Sequence, residues 1–368
     1  MIPTFLAIFI DLKCNFRCAH CSVSSGPDLS MHMARAVMDK AIMEAKEVPT
    51  VKVVVFTGGE PTLFMTDLIH GIEKAHENGF ITRVVTNAFW ARTKGETERY
   101  ISRLRDAGLD EINTSYDDYH AQFMDVKNVY RFVEASLHHD LRVAVASVTD
   151  NRSKISSASL RNGVAAYLGL SGSELGRQVL FLEDKPTPAG RGRGLARDKD
   201  RLPTYEKLTE RIGCKELGKT LAVHPDGSVH LCCGHAAFDT DALSVGNILD
   251  ESLPSLVKES HSNLLYWWIH MGGPNKILQA VGDSTKYATI CDACLHVLTD
   301  QRERVVEYLR KNRSAVLLND VLLSDDIVTV TKELEPHLGP LLKRQQQGGA
   351  RPRLAQESDG GGGLRRTS

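Results

Sequence analysis

Net charge is almost absent from this 368-residue chain: 45 Lys and Arg stand against 46 Asp and Glu, leaving −1. That balance removes any global electrostatic case for a nucleic-acid partner. Long hydrophobic runs are absent too. The apolar opening, Ile2-Pro3-Thr4-Phe5-Leu6-Ala7-Ile8-Phe9-Ile10, is too short to span a bilayer. It has neither the basic n-region nor the cleavage site of a secretory signal, and no internal repeat is found. The expectations are a cytoplasmic protein with no membrane and no nucleic-acid partner. Eight cysteines remain to be explained, and in a reducing compartment they are more often ligands or catalysts than disulfides. Hydrophobic residues at 42% and charged residues at 25% are ordinary for a folded globular chain long enough to bury a sizeable core.

Three cysteines fall together in Cys14-Asn15-Phe16-Arg17-Cys18-Ala19-His20-Cys21, spaced C-x3-C-x2-C. Three thiolates so placed can wrap one loop around one face of a [4Fe–4S] cube and leave the fourth iron open to a small molecule. A zinc knuckle is the alternative, with His20 as a fourth ligand, although structural zinc favours C-x2-C pairs. Downstream, the β-branched run Val51-Lys52-Val53-Val54-Val55-Phe56 reads as a buried strand. It exits into Thr57-Gly58-Gly59-Glu60-Pro61, where two glycines permit close backbone approach and Glu60 offers a carboxylate to an ammonium group.

Together these residues resemble the radical S-adenosylmethionine (SAM) enzymes. The resemblance implies that Cys14, Cys18 and Cys21 ligate a SAM-binding [4Fe–4S] cluster and that Gly58, Gly59 and Glu60 contact SAM. It further implies reductive cleavage of SAM to a 5′-deoxyadenosyl radical. Phe16 and His20 become candidates to pack near the cluster or the adenine.

Strand-like runs at Phe5–Asp11, Val51–Phe56, Ile81–Thr86, Glu111–Ser115, Arg142–Val148 and Gln178–Leu182 alternate with helix-like stretches at Ala34–Glu47, Thr66–Asn78, Lys94–Ala107 and Lys127–His138. Repeated βα units imply an α/β fold with a parallel sheet and right-handed crossovers. The family resemblance makes this a partial (β/α)6 TIM-like barrel. In barrels, ligands gather at the C-terminal strand ends, which here also carry Asn87, Ser115 and Asp117 as candidate cofactor contacts. N-caps or turns are the other explanation for each. The loop from Pro186 to Arg197, rich in Pro, Gly and Arg, reads as a boundary whose guanidinium groups could clamp a carboxylate; a solvated linker explains it equally well.

The segment from Leu221 to Cys232 reads as a β-hairpin turned by Pro225-Asp226-Gly227. Cys214 precedes it, and Cys291-Asp292-Ala293-Cys294 supplies a distant C-x2-C pair. Such a set could tie a small domain around one metal, zinc included. It resembles the SPASM extension, or its shortened "twitch" form. That implies one auxiliary [4Fe–4S] cluster on Cys214, Cys232, Cys291 and Cys294. The expected domains are the radical SAM partial barrel over 1–200, a small C-terminal auxiliary iron–sulfur domain over 201–299, a helical extension over 300–345 and a disordered tail over 346–368.

Cys233 is then left over beside a ligand. A thiol S–H is weaker than a C–H bond, so Cys233 could return a hydrogen atom to a carbon radical from the opposite face, giving epimerisation. Asn87-Ala88-Phe89-Trp90, Ser115-Tyr116-Asp117-Asp118-Tyr119-His120, Cys232-Cys233 and Ser262-Asn263-Leu264-Leu265 resemble the YydG-type radical SAM peptide epimerases. This implies L-to-D epimerisation in a ribosomally made peptide, with an electron donor of the flavodoxin or ferredoxin type as partner. Two alternatives are open: epimerisation of a sugar-containing natural product, and peptide cross-linking through thioether or C–C bonds. The chain runs straight into its first strand with no leader-binding segment ahead of it, which favours the epimerases or a small substrate. The apolar run Leu264–Ile269 reads as packing, and His138-His139 show no ligand spacing.

Overall fold

The computed structural model describes residues 1–322 except 197, 199, 203–212, 235–237 and 288. The tail expected to be disordered, 346–368, and residues 323–345 of the expected extension lie outside the described residues. Residues 1–322 belong to one compact unit.

Six strands, β1 (Phe5–Phe9), β2 (Val53–Thr57), β3 (Ile81–Thr86), β4 (Glu111–Ser115), β5 (Arg142–Val148) and β6 (Val179–Asp184), alternate with helices α1 (Arg35–Ala45), α2 (Met65–Glu77), α3 (Lys94–Asp106), α4 (Val126–His138) and α5 (Ser157–Leu168). All six strands pair in parallel, in the order β6-β5-β4-β3-β2-β1. The sheet does not close, so the barrel is partial, as expected. Local chemistry sets the helix ends. The Thr93 hydroxyl accepts from the Glu96 amide at the start of α3, Asp125 accepts from the Lys127 amide at the start of α4, and Ser156 forms a capping box with Ser159 on α5. Gly79 and Gly108, just past α2 and α3, take positive φ, the backbone state that ends a helix and favours glycine.

Beyond β1 the sheet continues. Strand β7 (Thr220–Val223) lies parallel to β1, and β8 (Ser228–His230) and β9 (Ser244–Asn247) follow antiparallel. The hairpin read from the sequence is therefore β7–β8, and it extends the barrel sheet on the side of β1.

Alternation divides each strand into two faces. Leu6, Ile8, Val54, Phe56, Val84, Ile112, Val143 and Val145 face the helices and join Met38, Ile42, Leu68, Ile72, Ile101 and Phe132 in the main core. Full burial of such side chains stabilises by roughly 1.5–3 kcal/mol each. The opposite residues form a separate inner cluster of Ala7, Phe9, Val55 and Ala222, with Phe5, Val23, Val53, Val85 and Phe238 against it. On the edge strand β6 the same inner face leaves Leu180 57% and Leu182 46% exposed. The barrel is thus open and apolar along that flank.

C-terminal to the hairpin lie the helices Leu253–Ser260, Pro274–Ala280, Ile290–Leu298 and Arg302–Val316. Trp268, from the aromatic run, is wholly buried. It stacks on Tyr308 at 5.6 Å and donates to Asp320 at 2.8 Å. The packing role expected for that run is what the fold uses. No helix among the described residues is long and apolar enough to cross a membrane.

Candidate functional site

A cavity of about 260 Å³ opens at the C-terminal ends of the barrel strands. Cys14, Cys18, Cys21, Phe16, His20, Gly58, Gly59, Glu60, Asn87 and Ser115 all line it. These came from four separate stretches of sequence. Asp117, grouped with them in the sequence, is absent from the lining. It is fully buried behind it and accepts from the amides of Tyr119, His120 and Val148 and from the His120 ring at 2.9 Å. The His120 interaction holds Asp117 below the usual carboxylate range against the desolvation that raises it. Asp117 therefore orients His120, which does line the cavity.

The loop after β1 is held from several sides. Asn87 donates to Asn15 at 2.9 Å and lies 3.7 Å from the Cys14 sulfur. Phe16 is buried and stacks on Phe123 at 5.1 Å. His20 packs against Tyr119 at 4.6 Å. Ala88, just past β3, has φ of 55°, uncommon for a residue with a Cβ. That turn lets the side-chain Oδ1 of Asn87 accept from the Phe89 amide at 3.0 Å while its Nδ2 faces the loop.

Gly58 and Gly59 are required by contact. A Cβ on Gly59 would run into the Lys13 carbonyl, and one on Gly58 would lie 2.5 Å from the Asp11 carbonyl. The strand-exit segment is thus pressed against the cysteine loop. Glu60 is fully buried, and desolvation raises its pKa. One carboxylate oxygen accepts from the Thr62 amide and hydroxyl and from the Thr86 hydroxyl; the other accepts from the Asn87 amide at 2.7 Å. The second oxygen keeps a lone pair for a donor in the cavity.

Asp11 was missed by sequence reasoning. It accepts the Gly59 amide, is fully buried, and one of its oxygens has no hydrogen-bond partner among the described residues. Burial, reinforced by Glu60, pushes its pKa up to about 7. In the unfolded chain it titrates near 4. Between those values the folded chain holds a proton that the unfolded chain does not, so stability falls as pH rises from about 4 to 7, by on the order of a few kcal/mol. Asp11→Asn removes this term. Thermal melts at pH 5.5 and 8 should show a smaller loss at high pH for the variant than for wild type; equal losses would contradict the assignment.

Burial pushes Cys14 up to about 12, with Glu60 and Cys21 adding to it, and Cys18 is raised further by burial and by Cys14 and Cys21. A second group forms elsewhere. Cys294, on the Ile290–Leu298 helix, is raised by burial and by Cys214, Cys232 and Cys291 together. Cys291 is pushed up to about 12 by burial, then by Cys214, Asp184 and Cys233. Clustered, buried thiols that oppose ionisation are a donor set suited to a thiophilic metal centre, where coordination replaces the protons. The first set could hold three irons of a cube and the second four. Asp184, which Cys291 senses, lines the cavity and so links the two groups.

Cys233 presents exposed surface, yet burial of the thiol itself raises its pKa, countered in part by the Thr220 side chain. Cys233 is not among the cavity-lining residues. Nearby on the inner face, His224 is sandwiched between His230 at 4.2 Å and Phe238 at 4.5 Å. Burial pushes His224 down to about 4 and lowers His230 as well, so both rings are neutral at neutral pH.

The chain matches the model of the Radical SAM superfamily over residues 10–139 and that of SPASM, an iron–sulfur cluster-binding domain, over 214–295. It is 24% identical over 304 residues to a Bacillus subtilis (strain 168) protein named "Putative peptide biosynthesis protein YydG", covering 78% of this chain and 90% of that one. A GTP 3′,8-cyclase of Listeria monocytogenes is 31% identical over 124 residues, 33% of this chain and 35% of the cyclase. Among solved structures, anSMEcpe with bound AdoMet and Cp18Cys peptide is similar with a TM-score of 0.47 and 16% identity, over 86% of this chain and 99% of that one. Domain matches and fold agree: the chain is a radical SAM enzyme that uses a [4Fe–4S] cluster and SAM, and it carries a C-terminal SPASM domain, the mark of auxiliary iron–sulfur centres.

Proposed function

We propose that the chain is a radical SAM epimerase that converts an L-residue to a D-residue in a ribosomally made peptide. In this reading Cys14, Cys18 and Cys21 hold the SAM-binding cluster. Phe16, His20, Gly58, Gly59, Glu60, Asn87 and Ser115 surround SAM, and Asp117 acts on it only through His120. Cys214, Cys232, Cys291 and Cys294 hold one auxiliary [4Fe–4S] cluster. When bound, the first cluster and SAM supply a 5′-deoxyadenosyl radical that takes one hydrogen atom from the substrate. Cys233 then gives its S–H hydrogen to the opposite face of that carbon. The sulfur is left one electron and one proton short, and an electron donor of the flavodoxin or ferredoxin type restores it with a proton from water. The substrate changes hand and keeps its mass in ordinary water.

The observation that carries the reading is the setting of Cys233. Its pKa responds to the Thr220 side chain, and Thr220 shares the inner face of β7 with Ala222. Cys233 is also next to Cys232 in the chain, so the segment just past β8 carries both a proposed cluster ligand and a spare thiol. The peptide part rests on the similarity to the B. subtilis peptide biosynthesis protein.

The test is product analysis in D2O. Reconstituted enzyme, SAM and dithionite are offered a synthetic library of all-L peptides, followed by chiral amino-acid analysis and mass spectrometry. The expected product is a D-residue bearing one deuterium, delivered by the exchanged thiol. Loss of two hydrogens without inversion would instead identify a cross-linking enzyme and overturn the proposal.

A further inference from the structure

The loop after β6 supplies a side chain that the assigned roles leave over. Arg191 sits in the run Pro186-Thr187-Pro188-Ala189-Gly190-Arg191-Gly192, which is clamped onto the cysteine loop. The Arg191 amide donates to the Cys21 carbonyl at 3.0 Å, and its Nε donates to the Cys18 carbonyl at 3.0 Å. Gly190 has φ of 54°, and a Cβ there would run into the Ser22 carbonyl. The Gly190 amide is fixed by Asp239 at 3.0 Å, and Arg193 pairs with the same carboxylate at 3.1 Å. The backbone beneath Arg191 is therefore anchored on both sides.

The guanidinium is only partly used. Its Nη2 is buried and has no hydrogen-bond partner among the described residues. A buried charged donor without a partner costs more than a neutral one. Arg191 lines the cavity that also holds Cys14, Cys18, Gly59 and Glu60, and its charge reaches Cys18, where it opposes the burial that raises that thiol. The other nearby cation, Lys185, donates to the Thr149 hydroxyl at 3.2 Å. The cavity lining thus includes both the Glu60 carboxyl and the Arg191 guanidinium. An acid and a base in one lining suit a zwitterion, and a planar guanidinium fork suits a carboxylate.

We infer that Arg191 binds the carboxylate of the methionine part of SAM through its unpartnered Nη2, while its Nε holds the cysteine loop. The inference rests on the radical SAM assignment and is independent of epimerisation.

The test compares Arg191→Met with wild type, both reconstituted and without reductant so that SAM stays intact. Equilibrium dialysis measures affinity for SAM and for decarboxylated SAM, alongside iron per chain. The expected result is a loss for SAM of about 10- to 100-fold, the scale of one charge-assisted pair. Affinity for decarboxylated SAM and iron content should stay within about twofold of wild type. Equal weakening of both ligands would overturn the inference and leave Arg191 as a prop for the loop. Should the methionine variant lose iron, Arg191→Lys decides. It keeps the charge but not the fork, and a loss confined to SAM supports the inference, whereas no loss or a loss shared with decarboxylated SAM overturns it.

Discussion

Cys233→Ala should abolish formation of D-residues, by about 100-fold or more, while still cleaving SAM to 5′-deoxyadenosine when reduced. In the proposed assignment the other seven cysteines are cluster ligands, which leaves none spare to quench a carbon radical. Serine cannot substitute, because its O–H bond is stronger than the C–H bond it would have to form. The melting temperature of the variant, measured on the same preparation, separates loss of the thiol from loss of the fold. Chiral analysis of the peptide and chromatography of 5′-deoxyadenosine, run on the same reaction, check both halves. A variant that inverts residues within threefold of the wild-type rate would sink the role of Cys233.

Gly59→Ala should sharply weaken SAM binding. The added carbon meets the backbone of Lys13 and Leu12, and neither can rotate away as a side chain could. Accommodating it means separating the strand-exit segment from the cysteine loop. That would break the Glu60 amide bond to the Lys13 carbonyl at 2.8 Å and the Gly59 amide bond to Asp11. A shift of that kind displaces the carboxylate of Glu60 and the loop thiols together. Affinity for SAM should fall by about 100-fold, equivalent to nearly 3 kcal/mol. The auxiliary group, built from residues 214–294, should keep its metal. Wild-type SAM affinity in this variant would contradict the packing described.

Much of the barrel is legible locally. Every parallel strand from β1 to β6 was read from the sequence, with ends displaced by at most two residues, because β-branched runs between caps and glycines carry their own signal. Helix α5 was not read: Gly163 sits inside it, and its apolar face is short. The pairing of β7 with β1 leaves no local trace, since a parallel partner more than two hundred residues away changes neither periodicity nor composition. The same division holds at the site. Cys14, Cys18, Cys21 and Gly58 to Glu60 announce themselves by spacing. Asp11 looks like an ordinary strand-end residue until Gly58 and Gly59 are packed on it, and Arg191 looks like part of a linker until the cysteine loop lies beneath it. His138 and His139 show no ligand spacing in the sequence, but the fold brings Glu98 to within 3.3 and 2.8 Å of their rings.

The account stands on two separate iron–sulfur centres with one thiol to spare. The most direct measurement is an iron and zinc count on anaerobically reconstituted wild type and on the Cys14/Cys18/Cys21→Ala triple variant. Wild type should hold about eight irons per chain and the variant about four, with no zinc, in line with one cube on four cysteines. A variant that holds zinc, or no metal, would remove the auxiliary cluster, and with it the arithmetic that leaves Cys233 as a hydrogen donor.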